Sequence, residues 1–361
     1  MQLLHHSDLL IGIIALIIFD NIVRKSDIMA ALNRRFFRFS IWTVIIVMAS
    51  EIVTICFEDA SVRYRGLHII GNVLGFGLSP FIPFFIGKAI CGFQKKYSLA
   101  FCIPPVINLC LTVLSIWFPI IFTVDSENGY MRGAAYEIYI FTYIVSFCYL
   151  FFQTMLLTKR YQSSNREIPV VLFFFVIAAT LGQIAFPWIH ISWLCVSFAI
   201  VLYYMYYCEM VHQMDALTGL LNRRAYDFSL REIKSGDNAA VIFLDIDEFK
   251  SVNDMYGHLF GDRCLKIVSS CIKKAFFKIG FCFRIGGDEF CVIVKKADKF
   301  LIERARSAFL NEVDSIRNAD GRFPSVSIGN AFTDAEFPNI MEVVPEADRN
   351  MYRFKQERKN S

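Results

Sequence analysis

Two glycines followed by two acidic residues, Gly286-Gly287-Asp288-Glu289, carry the clearest chemistry in this sequence. They lie between two short apolar stretches, 279–285 and 290–294, and are predicted to form a tight turn. Because glycine has no Cβ, the backbone of such a turn can approach a phosphate group closely. Adjacent carboxylates bind phosphate poorly but are good ligands for Mg²⁺. The turn therefore predicts a site for a nucleotide with its metal ion.

A second acidic group follows the apolar run 241–244. This run is short and rich in β-branched and aromatic residues, which is typical of a buried strand. It continues into Asp245-Ile246-Asp247-Glu248-Phe249-Lys250, so the strand is expected to present carboxylates at the edge of a sheet. Polar and glycine residues then follow at Asn253, Asp254, Gly257, His258, Gly261 and Asp262.

Residues 215–224, further upstream, read Asp-Ala-Leu-Thr-Gly-Leu-Leu-Asn-Arg-Arg. The ordered set of motifs from this segment to the glycine turn resembles the catalytic domain of diguanylate cyclases, the GGDEF family. The resemblance covers about residues 215–360. It implies an α+β ferredoxin-like domain, the palm of nucleotidyl cyclases, with helices on one face of its sheet. It also implies conversion of two GTP to cyclic di-GMP and two pyrophosphates, and a homodimer, because one site holds one GTP.

The resemblance assigns roles to individual residues of this chain. Asp245, the carbonyl of Ile246 and Asp288 match the ligands of Mg²⁺, with Mn²⁺ as an alternative metal. Asp288 also matches the catalytic acid, and Glu289 matches a metal or proton-transfer partner. The implied substrate contacts are Lys250, Asn253, His258, Asp262, Gly286, Gly287 and Lys355.

Asn253 and Asp262 match the positions that read guanine. A carboxylate accepts hydrogen bonds from N1–H and the 2-amino group of guanine, which adenine lacks. His258 is equally well interpreted as a structural imidazole, and a structural role is favoured for Asp247. Lys359 stands where the family usually has arginine, so a planar guanidinium is lost there. Phe277 and Gly280 replace the arginine and aspartate of the product-inhibition motif, so feedback inhibition by that motif is not expected.

The N-terminal part of the chain is apolar and poor in charge. Residues 1–210 hold 14 Lys or Arg and 11 Asp or Glu, against 23 and 22 in the shorter remainder. Hydrophobic residues make up 55% of the whole chain, which exceeds ordinary globular usage. Stretches that approach the ~20 residues needed to span a bilayer are 3–23, 37–57, 67–91, 99–124, 136–157, 168–188 and 189–207.

These stretches predict a multi-pass α-helical membrane domain over residues 1–207 with about seven transmembrane helices. A short helical linker over 208–214 and a GGDEF domain over 215–361 are expected to follow. The positive-inside rule places the N-terminus outside and the catalytic domain in the cytoplasm. Seven crossings require a helical hairpin around 187–190. The basic residues that set this orientation are Arg24, Lys25, Arg34, Arg35, Arg38, Lys95, Lys96, Lys159, Arg160 and Arg166.

The leading interpretation is therefore a diguanylate cyclase in the cell membrane, with its membrane helices as sensor or anchor and membrane lipid as a partner. The alternative is a catalytically silent GGDEF module that binds GTP or another protein. Intact metal, guanine and turn residues argue against that alternative. A seven-helix transporter or receptor does not explain the motifs. The almost neutral C-terminal part offers no basic face, so nucleic acid is not an expected partner.

Overall fold

The computed structural model describes residues 7–58, 60–91, 100–162, 167–185, 192–334 and 336–360. The chain divides into two compact units, Met1–Glu209 and Met210–Ser361. The predicted hairpin at 187–190 and the basic residues Lys95, Lys96 and Arg166 lie outside the described residues, as does the side chain of Lys359.

Helices dominate the first unit, because its long apolar stretches satisfy every backbone polar group internally when they are helical. Its elements are α1 (Ser7–Lys25), α2 (Ala31–Phe57), α3 (Arg65–Leu78), α4 (Phe81–Cys91), α5 (Ile103–Leu114), β1 (Phe122–Val124), β2 (Tyr130–Arg132), α6 (Tyr136–Arg160), α7 (Glu167–Ala185) and α8 (Ser192–His212). Within the described ranges, four stretches are long and apolar enough to cross a membrane: Ala31–Phe57, Val62–Ile90, Tyr136–Arg160 and Ser192–His212. Seven crossings remain a prediction.

The predicted span 99–124 is wrong at its C-terminal end. Helix α5 stops at Leu114, and residues 122–124 form the strand β1, which pairs with β2. Pro119 disfavours the helical conformation at the residue before it. Instead, the hairpin buries Ile121 and Phe122 in an aromatic cluster that includes Phe76. The predicted span 67–91 overlaps the stretch Val62–Ile90, which is long and apolar enough to cross, but its helix is interrupted at Pro80, between α3 and α4.

The second unit is an α+β domain. Its elements are α9 (Arg223–Arg231), β3 (Ala239–Ile246), α10 (Phe249–Tyr256), α11 (His258–Phe276), β4 (Phe281–Arg284), β5 (Glu289–Lys295), α12 (Lys299–Ala319), β6 (Val326–Phe332) and α13 (Ile340–Asn360). The sheet has the order β4-β5-β3-β6, and every pair in it is antiparallel. Local capping sets two helix starts: Asn222 accepts a hydrogen bond from Ala225 N, and Asp298 accepts from Phe300 N and Leu301 N.

Both faces of this sheet are covered, so the expectation of helices on one face is wrong. Alternate residues of β3, such as Ile242 and Leu244, pack in one core with α11 and α12. The residues between them, such as Val241 and Phe243, pack in a second core with α9 and α13. The reason is that β3 is apolar from Ala239 to Leu244, so both of its faces must be buried there.

Candidate active site

The glycine turn joins β4 to β5 as a tight hairpin over residues 285–288. Ile285 N and Gly286 N both donate to Glu289 O, at 3.0 and 3.3 Å. A Cβ at position 286 would overlap the carboxylate of Glu289 and would force that side chain to move. A Cβ at Gly287 would meet no atom of the described residues within 4 Å. The backbone at Gly287 is therefore open to the approach of a phosphate group.

Strand pairing brings the acidic residues of two motifs to this turn. Asp245, near the end of β3, lies opposite Glu289, the first residue of β5. Ile246 N donates to Asp288 O at 3.3 Å. Helix α13 adds Lys355, whose ammonium forms an ion pair with Asp245 and lies 3.8 Å from Asp247 Oδ1. The predicted metal, turn and lysine residues thus meet at one edge of the sheet.

The electrostatics of this group are those of a net negative site. Burial raises the pKa of Asp245, and the neighbouring carboxylates of Asp288 and Asp247 add to the effect, which outweighs Lys355. Burial alone would lower the pKa of Lys355, but its hydrogen bond to Asp245 and the nearby carboxylates raise it above the usual value. Three carboxylates thus surround one ammonium at this site. Such a site favours an added cation.

The available donors fit a hard cation that also binds phosphate. The described residues contain no group of three or more His, Cys, Asp or Glu placed to hold a metal ion. Asp245, Asp288 and the carbonyl of Ile246 supply oxygen donors only. Mg²⁺ is usually bound through one or two carboxylates and completes its shell with water and substrate phosphates. The donor set therefore suits Mg²⁺ held together with a nucleotide.

Asp247 has a structural role, as favoured from the sequence. Its Oδ2 accepts from Ser325 Oγ at 2.6 Å and its Oδ1 accepts from Ser327 Oγ at 2.7 Å. The backbone N of Asp247 also donates to Ser325 O at 2.9 Å. These bonds tie the end of β3 to β6, so they hold Asp245 in place beside the turn.

The residues expected to read guanine lie on the next two helices. Gly257, with φ of +82°, joins α10 to α11, and its N donates to Asn253 O at 2.8 Å. A Cβ at Gly261 would overlap the amide oxygen of Asn253, so this side chain lies against α11 one residue before Asp262. Asn253 and Asp262 are partly exposed. His258 is exposed and belongs to neither core, so burial gives it no structural role. Lys250 is also exposed, on α10.

Arg284 is a positioning residue that the sequence alone did not reveal. Its guanidinium donates to Gly287 O at 3.2 and 2.8 Å and to Asp215 at 3.2 and 3.4 Å. Asp215 also accepts from Thr218 N and Oγ1 at 2.9 and 2.6 Å. Burial opposes ionisation of Asp215, but these donors outweigh it and lower its pKa. The sequence signal that could have indicated this role is an arginine at the end of an apolar strand, directly before a glycine turn.

Comparisons with known proteins agree with this geometry. The model of the family described as "Diguanylate cyclase, GGDEF domain" matches residues 212–361. The diguanylate cyclase DgcS of Shewanella oneidensis is 36% identical over 169 residues, which are 43% of this chain and 54% of DgcS. The diguanylate cyclase DgcZ of Escherichia coli is 35% identical over 164 residues, which are 44% of this chain and 55% of DgcZ.

One solved structure in the comparison is the GGDEF domain of DgcB from Caulobacter crescentus in complex with c-di-GMP. It is 29% identical to this chain, with a TM-score of 0.36, and the match covers 40% of this chain and 91% of that one. The chain spans about half the length of the two curated relatives named above. The matched region carries the glycine turn, the acidic strand end and the segment at Asp215. Residues 212–361 are therefore a GGDEF domain of the diguanylate cyclase family.

Proposed function

We propose that this protein is a membrane-bound diguanylate cyclase, which converts two GTP to cyclic di-GMP and two pyrophosphates. The observation that carries the proposal is the meeting of Asp245, Asp288 and Lys355 beside the open backbone of Gly287. The relatives named as diguanylate cyclases support the reaction class. Because one site takes one GTP, the enzyme acts as a homodimer with two GGDEF domains facing each other.

Each residue of the site has a part in this reaction. Asp245, Asp288 and the Ile246 carbonyl would hold Mg²⁺, which would screen the charge of the phosphate oxygens and favour ionisation of the attacking hydroxyl. The backbone at Gly286 and Gly287 admits the phosphates. Lys355 keeps its charge, since its pKa is raised, and so fixes Asp245 and offers a positive charge to the substrate.

Glu289 and the guanine-reading pair complete the site. Glu289, which is exposed and lies opposite Asp245 in the strand pair, accepts the proton of the 3′-hydroxyl. Asp262 accepts hydrogen bonds from the guanine N1–H and 2-amino group, and Asn253 beside it contacts the base edge. Lys250 and His258, both exposed, contact the substrate from the same helix pair.

The N-terminal unit anchors the enzyme in the cell membrane, with lipid as its surroundings. Four described stretches are long and apolar enough to span a bilayer. Basic residues lie in the last turns of α1 and α6, at Arg24, Lys25, Lys159 and Arg160. An excess of Lys and Arg marks the cytoplasmic side, and crossings by both α7 and α8 then return the chain to that side, so the GGDEF domain lies in the cytoplasm.

The substrate is tested with full-length protein in lipid nanodiscs, given GTP or ATP with Mg²⁺, by chromatography and mass spectrometry of the products. We expect cyclic di-GMP from GTP and no cyclic product from ATP. Asp262→Asn is expected to lower kcat/KM for GTP about 10–100-fold, because a hydrogen bond to a charged group contributes about 1.5–3 kcal/mol.

The matched control for this test is Asp254→Asn, an exposed acid on α10, which should behave as wild type. Equal use of ATP, or full activity of Asp262→Asn, would contradict the guanine assignment. Bound GTP without any product would favour the silent module instead.

Loss of Arg284 should slow the reaction without removing any group that contacts substrate. In Arg284→Ala the turn loses its link to Asp215, so we expect kcat to fall more than about tenfold, given ~1.5 kcal/mol or more per charged hydrogen bond. Hydrogen exchange of the amides at 285–289 should become faster. Arg284→Lys should restore kcat and the slow hydrogen exchange only in part, since lysine lacks the planar guanidinium that donates several hydrogen bonds at once. Arg224→Ala, at an exposed arginine, is the control; the same results for both alanine variants would exclude a positioning role.

A further inference from the structure

The first unit contains an apolar cavity of about 70 Å³ between α4, α6, α7 and α8. Its walls include Ile86, Phe147, Phe173 and Ile200, one from each helix. Every residue that lines the cavity is buried or partly buried. Residues on the outer faces of α6 and α7 are instead well exposed, such as Phe152 at 59% and Phe174 at 62%. The cavity therefore lies between the four helices and is partly open toward their outer apolar surface.

The chemistry of the walls excludes a charged or strongly polar guest. The described lining residues include no charged side chain. Thr154 Oγ1 and Tyr203 OH are hydrogen-bonded to each other at 2.8 Å, and Thr154 also donates to Leu150 O at 2.8 Å. Burying a polar group without a partner costs free energy. Apolar cavities of this kind stay dry and take up apolar molecules.

Aromatic rings form one continuous wall of the cavity. The ring centroids of Phe147 and Phe173 are 4.6 Å apart at 23°, and those of Phe151 and Phe173 are 4.8 Å apart at 51°. Tyr143 extends this wall, 6.2 Å from Phe147. Such rings favour an aromatic guest in stacked or edge-on contact. The volume exceeds the ~10–15 Å³ that one water requires, so the cavity has room for a small apolar guest.

We propose that this cavity is a binding site for a small, neutral, single-ring aromatic molecule. Helix α8 contributes Val196, Ala199, Ile200 and Tyr203, whose spacing places them on one face of the helix. The same helix continues to His212, whose carbonyl accepts a hydrogen bond from Asn222 Nδ2 at 2.7 Å. The guest thus contacts the helix that ends where the GGDEF match begins. Resting on the proposed function, we infer that occupancy of the cavity changes the rate of cyclic di-GMP formation.

Binding is tested by photolabelling full-length protein in nanodiscs with 3-phenyl-3H-diazirine and locating the label by peptide mass spectrometry. We expect label on wall residues such as Phe147 and Ile200, and excess toluene should reduce it about tenfold, equivalent to ~1.4 kcal/mol. Label on outward residues such as Phe152 should not respond to toluene, because it reports contact from the lipid. Labelling confined to outward residues, or wall labelling that toluene does not reduce, would overturn the site.

Two alanines provide a matched pair of variants. Ala199→Phe fills the cavity and should lose the toluene-sensitive label, whereas Ala178→Phe, on the exposed face of α7, should keep it. The wild-type result stands by itself should Ala199→Phe fail to fold. On the same samples, toluene should shift the cyclic di-GMP rate in wild type and Ala178→Phe, but not in Ala199→Phe. An unchanged rate would overturn the regulatory inference, and a protein that makes no product would overturn the proposed function, while the labelling still decides the site.

Discussion

Cyclic di-GMP formation by the full-length protein is expected to fall about a thousandfold or more in Asp288→Ala, because a metal ligand contributes several kcal/mol to the transition state. Asp288 lies in the turn that meets Asp245 and adds to the negative field that surrounds Lys355. Without this carboxylate, only Asp245 and the Ile246 carbonyl are left to hold the cation, and Asp245 is already paired with Lys355. The measurement is the initial rate with GTP and Mg²⁺ in nanodiscs.

A second variant at this position separates the effect of charge from that of shape, and a variant at Asp254 is the control. Asp288→Asn keeps the size of the side chain but loses its charge, so it should be nearly as inactive as the alanine variant. Asp254→Ala removes an exposed acid from α10 and should retain the wild-type rate. Calorimetric titration of each variant with GTP distinguishes a loss of catalysis from a loss of GTP binding. Wild-type rates in Asp288→Asn would remove this carboxylate from the proposed mechanism.

A single methyl group at position 329 is expected to destabilise the GGDEF domain by more than about 3 kcal/mol, the upper end of overpacking effects. Gly329 lies in β6 beneath α13. A Cβ there would overlap Met351 N and lie 2.5 Å from Met351 Cα and 2.6 Å from Ala347 O. All three contacts are with backbone atoms, so α13 itself must move. Because α13 carries Lys355, the active site would be displaced as well.

The measurement is the melting temperature of full-length Gly329→Ala, taken from the loss of hydrogen-exchange protection in β3 on heating. Gly321→Ala is the matched control, since a Cβ at Gly321 would meet no atom of the described residues within 4 Å. We expect Gly321→Ala to melt with the wild type and Gly329→Ala to melt well below it. Equal melting temperatures for the two variants would show that α13 adjusts without cost.

Periodic patterns in the sequence predicted much of the second unit. The spacing of Leu265, Val268 and Ile272 is typical of a helix and the alternation of Val326 and Ile328 is typical of a strand; these residues lie in α11 and β6 and pack in one core. Helices on the second face were not foreseen, because an apolar run such as 241–244 does not show how many of its faces are covered. The β1–β2 hairpin was missed for a related reason, since β1 ends the apolar run 99–124, which is as long as a membrane span.

Contacts between residues that are distant in the chain could not be predicted from the sequence. Arg284 and Asp215 are separated by 69 residues, and only the pairing of the 215–222 segment with β4 brings them together. The site residues themselves were found because short motifs mark the ends of strands. Their arrangement around Lys355 depends on helix packing, which no local pattern encodes.

The place of β3 in the sheet has a consequence for how the domain is made on the ribosome. Its partner β6 and its ion-pair partner Lys355 both come late, the latter 110 residues after Asp245. At about 5–20 residues per second, translation leaves this central strand with one open edge for several seconds. During that interval the nascent domain presents an apolar strand and uncompensated carboxylates, and it has no complete active site. Synthesis of the last helix therefore ends the period of greatest aggregation risk and completes the active site in one event.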